Sequence, residues 1–135
     1  MKPAIEIAPR EGAGAMSWDV QFDEKFAAWL DGQDEAVADA ILKMAGLLAE
    51  YGPGLGRPRV DTIVGSEFQN MKELRVQVGG DPWRILFAFD PKRSAILLVG
   101  GNKGGDKRWY KRHIPIADER FRRHLERLDR AEGDR

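Results

Sequence analysis

Residues 71–110 determine the architecture of the chain, and they read MKELRVQVGGDPWRILFAFDPKRSAILLVGGNKGGDKRWY. The stretch contains three strand-like runs, at 72–78, 83–90 and 95–101. The connections between them, GGDP and DPKR, are short and consist of residues that favour turns. The stretch therefore predicts an antiparallel meander. Because the third run is apolar on both faces, we expect that strand to lie in the middle of the sheet.

The residues before the meander predict one strand and two helices. Polar and apolar residues alternate over 17–22, which is typical of a half-buried strand. Asp23 is placed to cap a short helix over 24–30, and Asp34 to cap a second helix over 35–50. A helical hairpin of this kind needs a sheet to cover its apolar side, so the predicted class is α+β.

Two further segments flank the meander. Residues 52–65 are rich in Gly and Pro and predict a loop, which lacks the GK[ST] continuation of a phosphate-binding loop. After the meander, 107–113 can form a helical turn that Pro115 breaks or kinks. Apolar residues at helical spacing then predict a C-terminal helix, and they are Ala117, Phe121, Leu125 and Leu128.

Length and composition predict one domain in a chain of 135 residues, which is long enough to bury a core. We expect a flexible extension at 1–15, the domain at 16–129 and a frayed tail at 130–135. The sequence contains no Cys and 2 His, which excludes disulfides, thiolate metal sites and His-rich metal sites. It has neither an apolar run near the roughly 20 residues of a membrane span nor a signal-peptide pattern. We therefore expect a cytoplasmic protein without membrane contact and without a cofactor.

The charged residues are unevenly distributed, although the net charge is zero. Residues 1–56 hold 4 Lys or Arg and 10 Asp or Glu, whereas residues 57–112 hold 12 and 6. A sheet built from the second segment can present a basic face. Charge alone leaves nucleic-acid binding open, because the surfaces of proteins commonly carry Lys and Arg.

Two arginines in the meander are the first candidates for a functional site. Arg75 and Arg84 lie on adjacent predicted strands near a tight turn, so their side chains can share one face of the sheet. Two cations at close range indicate an anion between them. The alternative is separate pairing, for example of Arg75 with Asp81 or with Glu73.

The run KELRV…PWRILFAFDPKRSAILLVGGNKGGDKRWYKRHIPIAD resembles the phage-related Gp49-like branch of the RelE/HigB/ParE toxin superfamily. The ELR strand, the WRILFAFDP turn and the GGNKGG…RWY segment carry the resemblance, which covers roughly 17–128. It implies the RelE/ParE-like (microbial-RNase-like) fold. In that fold an N-terminal strand and a helical hairpin pack on an antiparallel meander, and a C-terminal helix follows.

The resemblance also implies an activity, since most characterised HigB and RelE toxins cut mRNA in the ribosomal A site. The chain is therefore expected to be a ribosome-dependent, metal-independent endoribonuclease, or mRNA interferase. Its expected partners are the ribosome, mRNA and a cognate HigA-like helix-turn-helix antitoxin that neutralises it. Two alternatives stay open: a ParE-like poison of DNA gyrase on the same fold, and a non-enzymatic phage- or plasmid-derived binding module.

The resemblance assigns roles to individual residues. Arg75 and Arg84 match the phosphate-binding positions of the sheet, Lys103 the cation after its last strand, and Tyr110 a tyrosine that acts as base or orienting group. RelE-type sequences carry alternating lysines on the first meander strand, but this chain has Glu73 beside Arg75 there. Glu73 is therefore a second candidate for the general base, or else a structural partner of that arginine.

Five basic or aromatic residues near these positions are further candidates for binding the RNA strand, and they are Lys72, Lys107, Arg108, Trp109 and Arg57. Trp109 can either stack on a base or lie in the core. Arg57 can either bind phosphate or be solvated. Lys72 has the wrong strand parity to share a face with Arg75.

Overall fold

The computed structural model of the chain describes residues 6–7 and 18–133. Within these residues, six strands form one mixed sheet and three α-helices cover its two faces. The strands are β1 (Glu6–Ile7), β2 (Asp19–Phe22), β3 (Val60–Thr62), β4 (Met71–Val78), β5 (Asp81–Phe89) and β6 (Ser94–Asn102). The helices are α1 (Glu24–Asp31), α2 (Glu35–Tyr51) and α3 (Trp109–Gly133), and a short 3-10 helix follows α2 at Gly52–Gly54.

The predicted meander is confirmed, with strand ends within two residues of the predicted ones. β4, β5 and β6 are antiparallel neighbours, and β6 lies in the middle of the sheet between β5 and β2. The turn between β4 and β5 needs its glycines, because Gly79 and Gly80 have φ values of 59° and 86°. β2 pairs with β6 in parallel, a long-range pairing that local alternation does not reveal.

The prediction of an uninterrupted loop over 52–65 is wrong. Its residues Val60–Thr62 form β3, which pairs antiparallel with β4. Just before β3, the carbonyl of Arg59 accepts a hydrogen bond of 2.7 Å from the backbone N–H of Arg75. Three residues are too few to show strand alternation, so the pattern in the sequence could not reveal them. As a result, Asp61 lies beside β4.

The core consists of two apolar layers, because alternate residues of each strand face opposite sides of the sheet. The layer under α1 and α2 contains Phe22, Phe26, Ile41, Leu48, Leu74, Ile85 and Phe87. The layer under α3 contains Met71, Leu86, Leu98, Trp109 and Phe121. The two faces of β4 and β5 therefore contact different helices.

The two helices of the hairpin begin where the sequence predicts. The carboxylate of Asp23 accepts two backbone N–H groups in the first turn of α1, at 2.9 and 3.1 Å. At the start of α2, the backbone carbonyl of Asp34 accepts an N–H at 2.9 Å. α2 ends at Gly52, which has a φ of 54°. A Cβ atom there would come within 2.2 Å of the Trp18 indole, so only glycine fits this helix end.

Of the two effects predicted for Pro115, a break or a kink, the break is wrong, since α3 is one helix with Pro115 inside it. Proline has the φ value that a helix needs, but it lacks the N–H donor and its ring crowds the carbonyl four residues before it. The missing donor would have bonded to the carbonyl of Lys111, which is an exposed residue. Helix α3 therefore continues across the sheet without interruption.

Secondary structure extends past both ends of the predicted domain at 16–129. α3 continues to Gly133, four residues past the predicted domain end, and Lys92 Nζ lies 2.5 Å from Glu132 Oε1 in its last turns. The remainder of the predicted tail lies outside the described residues. So does most of the predicted extension, except that β1 pairs antiparallel with β2. In the described ranges no helix is both long and apolar enough to cross a bilayer.

Candidate active site

A buried carboxylate lies between the two arginines that the sequence indicates. Arg75 on β4 is directly opposite Arg84 on β5, and Glu73 shares their face of the sheet. Glu73 Oε2 accepts a hydrogen bond of 3.1 Å from Arg75 Nε, and Glu73 Oε1 lies 3.5 Å from Arg84 Nε. Glu73 is only 4% exposed. The anion between the two arginines is therefore a carboxylate of the chain itself.

Tyr110 completes this cluster from the first turn of α3. Its hydroxyl donates a hydrogen bond of 2.5 Å to Glu73 Oε1. Burial, and then the hydrogen bond to the Glu73 carboxylate, raise the pKa of Tyr110 to about 12, against a smaller opposing effect of Arg84. The Tyr110 side chain is therefore a hydrogen-bond donor at neutral pH and not a base.

Arg84 is held tightly but keeps one donor unused. Its Nη1 donates to the carbonyl of Trp83 at 3.1 Å, and its side chain is 13% exposed. Its Nε is buried and has no hydrogen-bond partner in the described part of the chain, because the nearby Glu73 oxygen lies at 3.5 Å without suitable geometry. A buried N–H without a partner is costly, and such groups in native proteins often mark a binding or catalytic role.

A second acidic residue extends the cluster outward to the protein surface. Arg75 Nη2 lies 3.1 Å from Asp61 on β3, and Asp61 in turn lies 3.1 Å from Arg57. The hydrogen bond from Arg57 is the main reason why the pKa of Asp61 is lowered. Of the two predicted pairings of Arg75, the one with Glu73 is confirmed. The one with Asp81 is wrong, because β3 brings Asp61 to Arg75 instead.

Further cations lie near Tyr110, either in space or along the chain. Lys103 follows β6, and its Nζ lies 5.5 Å from the centre of the Tyr110 ring, close enough for a cation–π contact. Lys107 and Arg108 are exposed in the turn before α3. Among the residues that the structure describes, neither of these two forms an ion pair. Of these three cations, Lys103 is the one in contact with Tyr110.

Two predicted RNA-binding residues are not placed to bind RNA at this cluster. Trp109 is 2% exposed and stacks on His113 at 4.1 Å, so its ring cannot stack on a base without leaving the core. It fits there because Gly101 has no side chain, since a Cβ would lie 2.7 Å from the indole nitrogen. Lys72 lies on the opposite face of β4, with its Nζ 3.4 Å from Thr62.

Asp61 is the one member of the cluster that sequence reasoning missed, because its strand was predicted to be loop. His113 does not belong to the cluster, since its Nδ1 lies 2.7 Å from the carbonyl of Trp109. In the described ranges, no three His, Asp or Glu side chains are grouped closely enough to hold a metal ion. What the geometry offers is the buried carboxylate of Glu73 with a tyrosine and two arginines around it, and Asp61 and a lysine further out.

Residues 28–122 match the family model described as Phage derived protein Gp49-like (DUF891), a range that includes the whole cluster. The chain is 46% identical over 108 residues to "Putative toxin HigB2" of Mycobacterium tuberculosis (strain ATCC 25618 / H37Rv), which covers 78% of the chain and 54% of that relative. It is 57% identical over 86 residues to "Putative toxin HigB3" of the same strain, which covers 61% of the chain and 74% of that relative. The chain thus spans about half the length of the first relative and three quarters of the second.

Proposed function

Because the chain belongs to the Gp49-like family, we propose that it is the toxin of a type II toxin–antitoxin system and that it cleaves mRNA on the ribosome. The observation that carries the proposal is the cluster of Glu73, Tyr110, Arg75 and Arg84, which joins an acceptor, a protonated hydroxyl and two guanidinium groups. Both relatives are named as toxins of the HigB type, which supports the first part of the proposal.

The proposed reaction is attack of a ribose 2′-oxygen on the adjacent phosphorus. It needs a base for the 2′-hydroxyl proton, cations for the charge of the phosphorane, and an acid for the leaving 5′-oxygen. In this scheme Glu73 is the base. Tyr110 suits that role less, because a phenol whose pKa is about 12 stays protonated at neutral pH.

The cations of the scheme are Arg75, Arg84 and Lys103. The incoming phosphate takes over guanidinium donors that Glu73 holds in the free protein. Arg84 Nε offers a donor that is unused in the described residues, and Lys103 adds positive charge beside Tyr110. Charge-assisted hydrogen bonds of this kind strengthen as negative charge develops on the phosphorane.

Tyr110 is the acid of the scheme. Its hydroxyl already donates to Glu73, so a proton that Glu73 takes from the 2′-hydroxyl can replace the one that Tyr110 gives to the 5′-oxygen. The new bond from the 2′-oxygen to phosphorus forms as the bond from phosphorus to the 5′-oxygen breaks. The products are a 2′,3′-cyclic phosphate end and a 5′-hydroxyl end. Both side chains return to their starting protonation states, and the scheme uses no metal ion.

We propose three partners for the chain: the ribosome, its mRNA and a cognate HigA-like helix-turn-helix antitoxin. A toxin that cuts translated messages must be neutralised in the cell that makes it, and the cytoplasm is the proposed compartment because translation occurs there. Affinity purification from cells that also carry the adjacent gene should recover one small helix-turn-helix protein. Recovery of the chain without such a protein would count against the antitoxin.

Primer extension on a reporter message, after brief induction of the chain in cells, tests the proposal. Breaks within the translated frame are expected for the wild type and are expected to disappear in Arg84→Ala. The matched control is Arg127→Ala, since Arg127 is an exposed arginine on α3 more than four turns past Tyr110. Growth arrest with intact message would favour a gyrase poison instead. Neither arrest nor breaks would favour a non-enzymatic binding module.

A further inference from the structure

A groove opens next to the Glu73 cluster, on the outer side of Tyr110. Its volume is about 820 Å³, and its walls are the segment 64–67 after β3 and the stretch of α3 between Tyr110 and Arg122. Tyr110 therefore belongs both to the groove and to the cluster. Whatever occupies this end of the groove lies against the hydroxyl-bearing ring that contacts Glu73.

The loop that forms one wall of the groove is fixed to α3. Asp118, which is buried, accepts a hydrogen bond from the Ser66 hydroxyl at 2.5 Å and another from the backbone N–H of Glu67 at 3.0 Å. Next to them, the ring of Phe68 packs edge-on against Phe121 with 5.0 Å between centroids. The wall is thus held by a buried carboxylate and by the apolar core.

This fixed wall presents an apolar side chain to water. Val64 is 90% exposed, more than any other large apolar side chain that the structure describes. Ile114 and Pro115 on α3 are the apolar residues of the facing wall. An apolar side chain held out by a fixed loop and facing another apolar surface indicates a binding groove.

Positively charged residues lie on both sides of Tyr110 in the chain, at one end of the groove. Lys111 lines it, and Lys107 and Arg108 lie just before α3. All three are exposed, and none of them forms an ion pair among the described residues. An occupant with an apolar surface next to a negative charge would match this arrangement, since unpaired cations favour phosphate.

We infer that the groove binds an unpaired nucleobase of the substrate RNA, next to the phosphate that is cut. This inference rests on the proposed function and extends it to the way in which the RNA strand is held. The base lies between Val64 and Pro115, and its backbone passes Lys111 towards Tyr110. Contact with the faces of splayed bases, combined with cations along the backbone, is the usual mode of binding single-stranded RNA.

The substitution Val64→Ser tests the subsite, because it removes the apolar contact from an exposed position where substitutions rarely affect folding. The probe is a short, labelled single-stranded RNA in which the attacking 2′-hydroxyl is replaced by hydrogen, titrated into the purified full chain. We expect Val64→Ser to weaken binding about five- to tenfold. The same variant should raise KM for ribosome-bound message by a similar factor and leave kcat unchanged.

Leu42→Ser is the matched control, since Leu42 is 41% exposed on α2, on the other face of the sheet. It should change neither binding nor cleavage by more than about twofold.

Equal affinity of the wild type and Val64→Ser would overturn the subsite, as would a wild type that does not bind the probe. Weaker capture of the antitoxin by Val64→Ser, with RNA affinity unchanged, would also overturn it and assign the groove to a protein partner. Binding that depends on Val64 in a protein that does not cut RNA would instead reject the proposed function and keep the subsite.

Discussion

The two faces of the sheet bury different kinds of residue. The face under α1 and α2 packs an apolar cluster. The face under α3 is also apolar, but in the described part of the chain it holds the buried carboxylates Glu73, Asp90 and Asp118. Each of them involves α3, because Glu73 bonds to Tyr110, Asp90 bonds to His124, and Asp118 is part of the helix.

The difference supports our choice of Glu73 as the carboxylate that we propose acts in cleavage. A buried carboxylate is costly unless hydrogen bonds compensate it. Asp90 and Asp118 receive backbone N–H groups and one uncharged or titratable side chain each, which suits a structural role. Glu73 instead contacts two arginines and a tyrosine. The Nε donor of Arg84 has no hydrogen-bond partner among the described residues. The first face stabilises the fold, and the second also concentrates charge.

The largest expected effect comes from Glu73→Gln, which keeps the shape of the side chain but removes the proposed base. We expect the single-turnover rate on ribosome-bound message to fall by about 10³ to 10⁴. Arg75 keeps Asp61 as a partner in this variant, so the far-UV circular dichroism should match that of the wild type. A variant that retains more than about a tenth of the rate would reduce Glu73 to a structural partner of Arg75.

Leu74→Ala changes the residue next to Glu73 on β4. The Leu74 side chain points to the opposite face of the sheet, under α1 and α2. Leu74 is fully buried in the layer under α1 and α2, so its loss leaves a cavity. We expect the free energy of unfolding, measured by urea titration, to fall by about 2 to 5 kcal/mol. The cleavage rate per folded molecule should stay within about twofold of the wild type. A large fall in that rate at urea concentrations well below the unfolding midpoint would contradict the comparison. It would mean that a change on one face of the sheet alters cleavage at the other.

Much of the arrangement on the face under α3 could be predicted from the sequence. Glycines in the turn after β4 set the register that puts Arg75 opposite Arg84, and strand parity puts Glu73 on the same side. The pairing of Glu73 with Arg75 could therefore be predicted as one of two alternatives. The cap at Asp23 and the central position of β6 follow from equally local patterns.

Other features depend on contacts that local patterns do not contain. Trp109 and Tyr110 are adjacent aromatic residues, yet one is buried and the other lies in the cluster. The start of α3 decides between them, and it depends on the missing side chain of Gly101 in β6, the strand that precedes the helix. Asp61 was missed because β3 has three residues. The exposure of Val64 likewise depends on a loop fixed by Asp118, 54 positions later in the chain.

Tyr110→Phe separates the proposed acid from the proposed base. It removes the hydroxyl but keeps the ring, so kcat should fall by about 10² while KM changes little. Stability should fall by only about 1 kcal/mol, because one hydrogen bond to Glu73 is lost. In the wild type, the contribution of Tyr110 to stability is complete below pH 10 and is lost as the pH rises towards 12, since folding raises its pKa to about 12. An unchanged kcat would leave Tyr110 as an orienting group alone.

Asp90→Asn has the smallest expected effect and tests the structural carboxylates of the second face. Burial raises the pKa of Asp90, but the hydrogen bonds from His124 and from the backbone N–H groups of Ser94 and Lys92 outweigh it, so the net shift is downward. Its contribution to stability is therefore present above the unfolded pKa of 3.8 and is lost as the pH falls through the folded pKa.

Urea titrations should show the Asp90→Asn variant about 1 to 3 kcal/mol less stable at pH 7, and the difference should shrink below pH 4. Cleavage at pH 7 should be unchanged, because this carboxylate holds the β5–β6 turn to α3 through His124. A loss of cleavage as large as that of Glu73→Gln would contradict the distinction between the structural carboxylates and the proposed base.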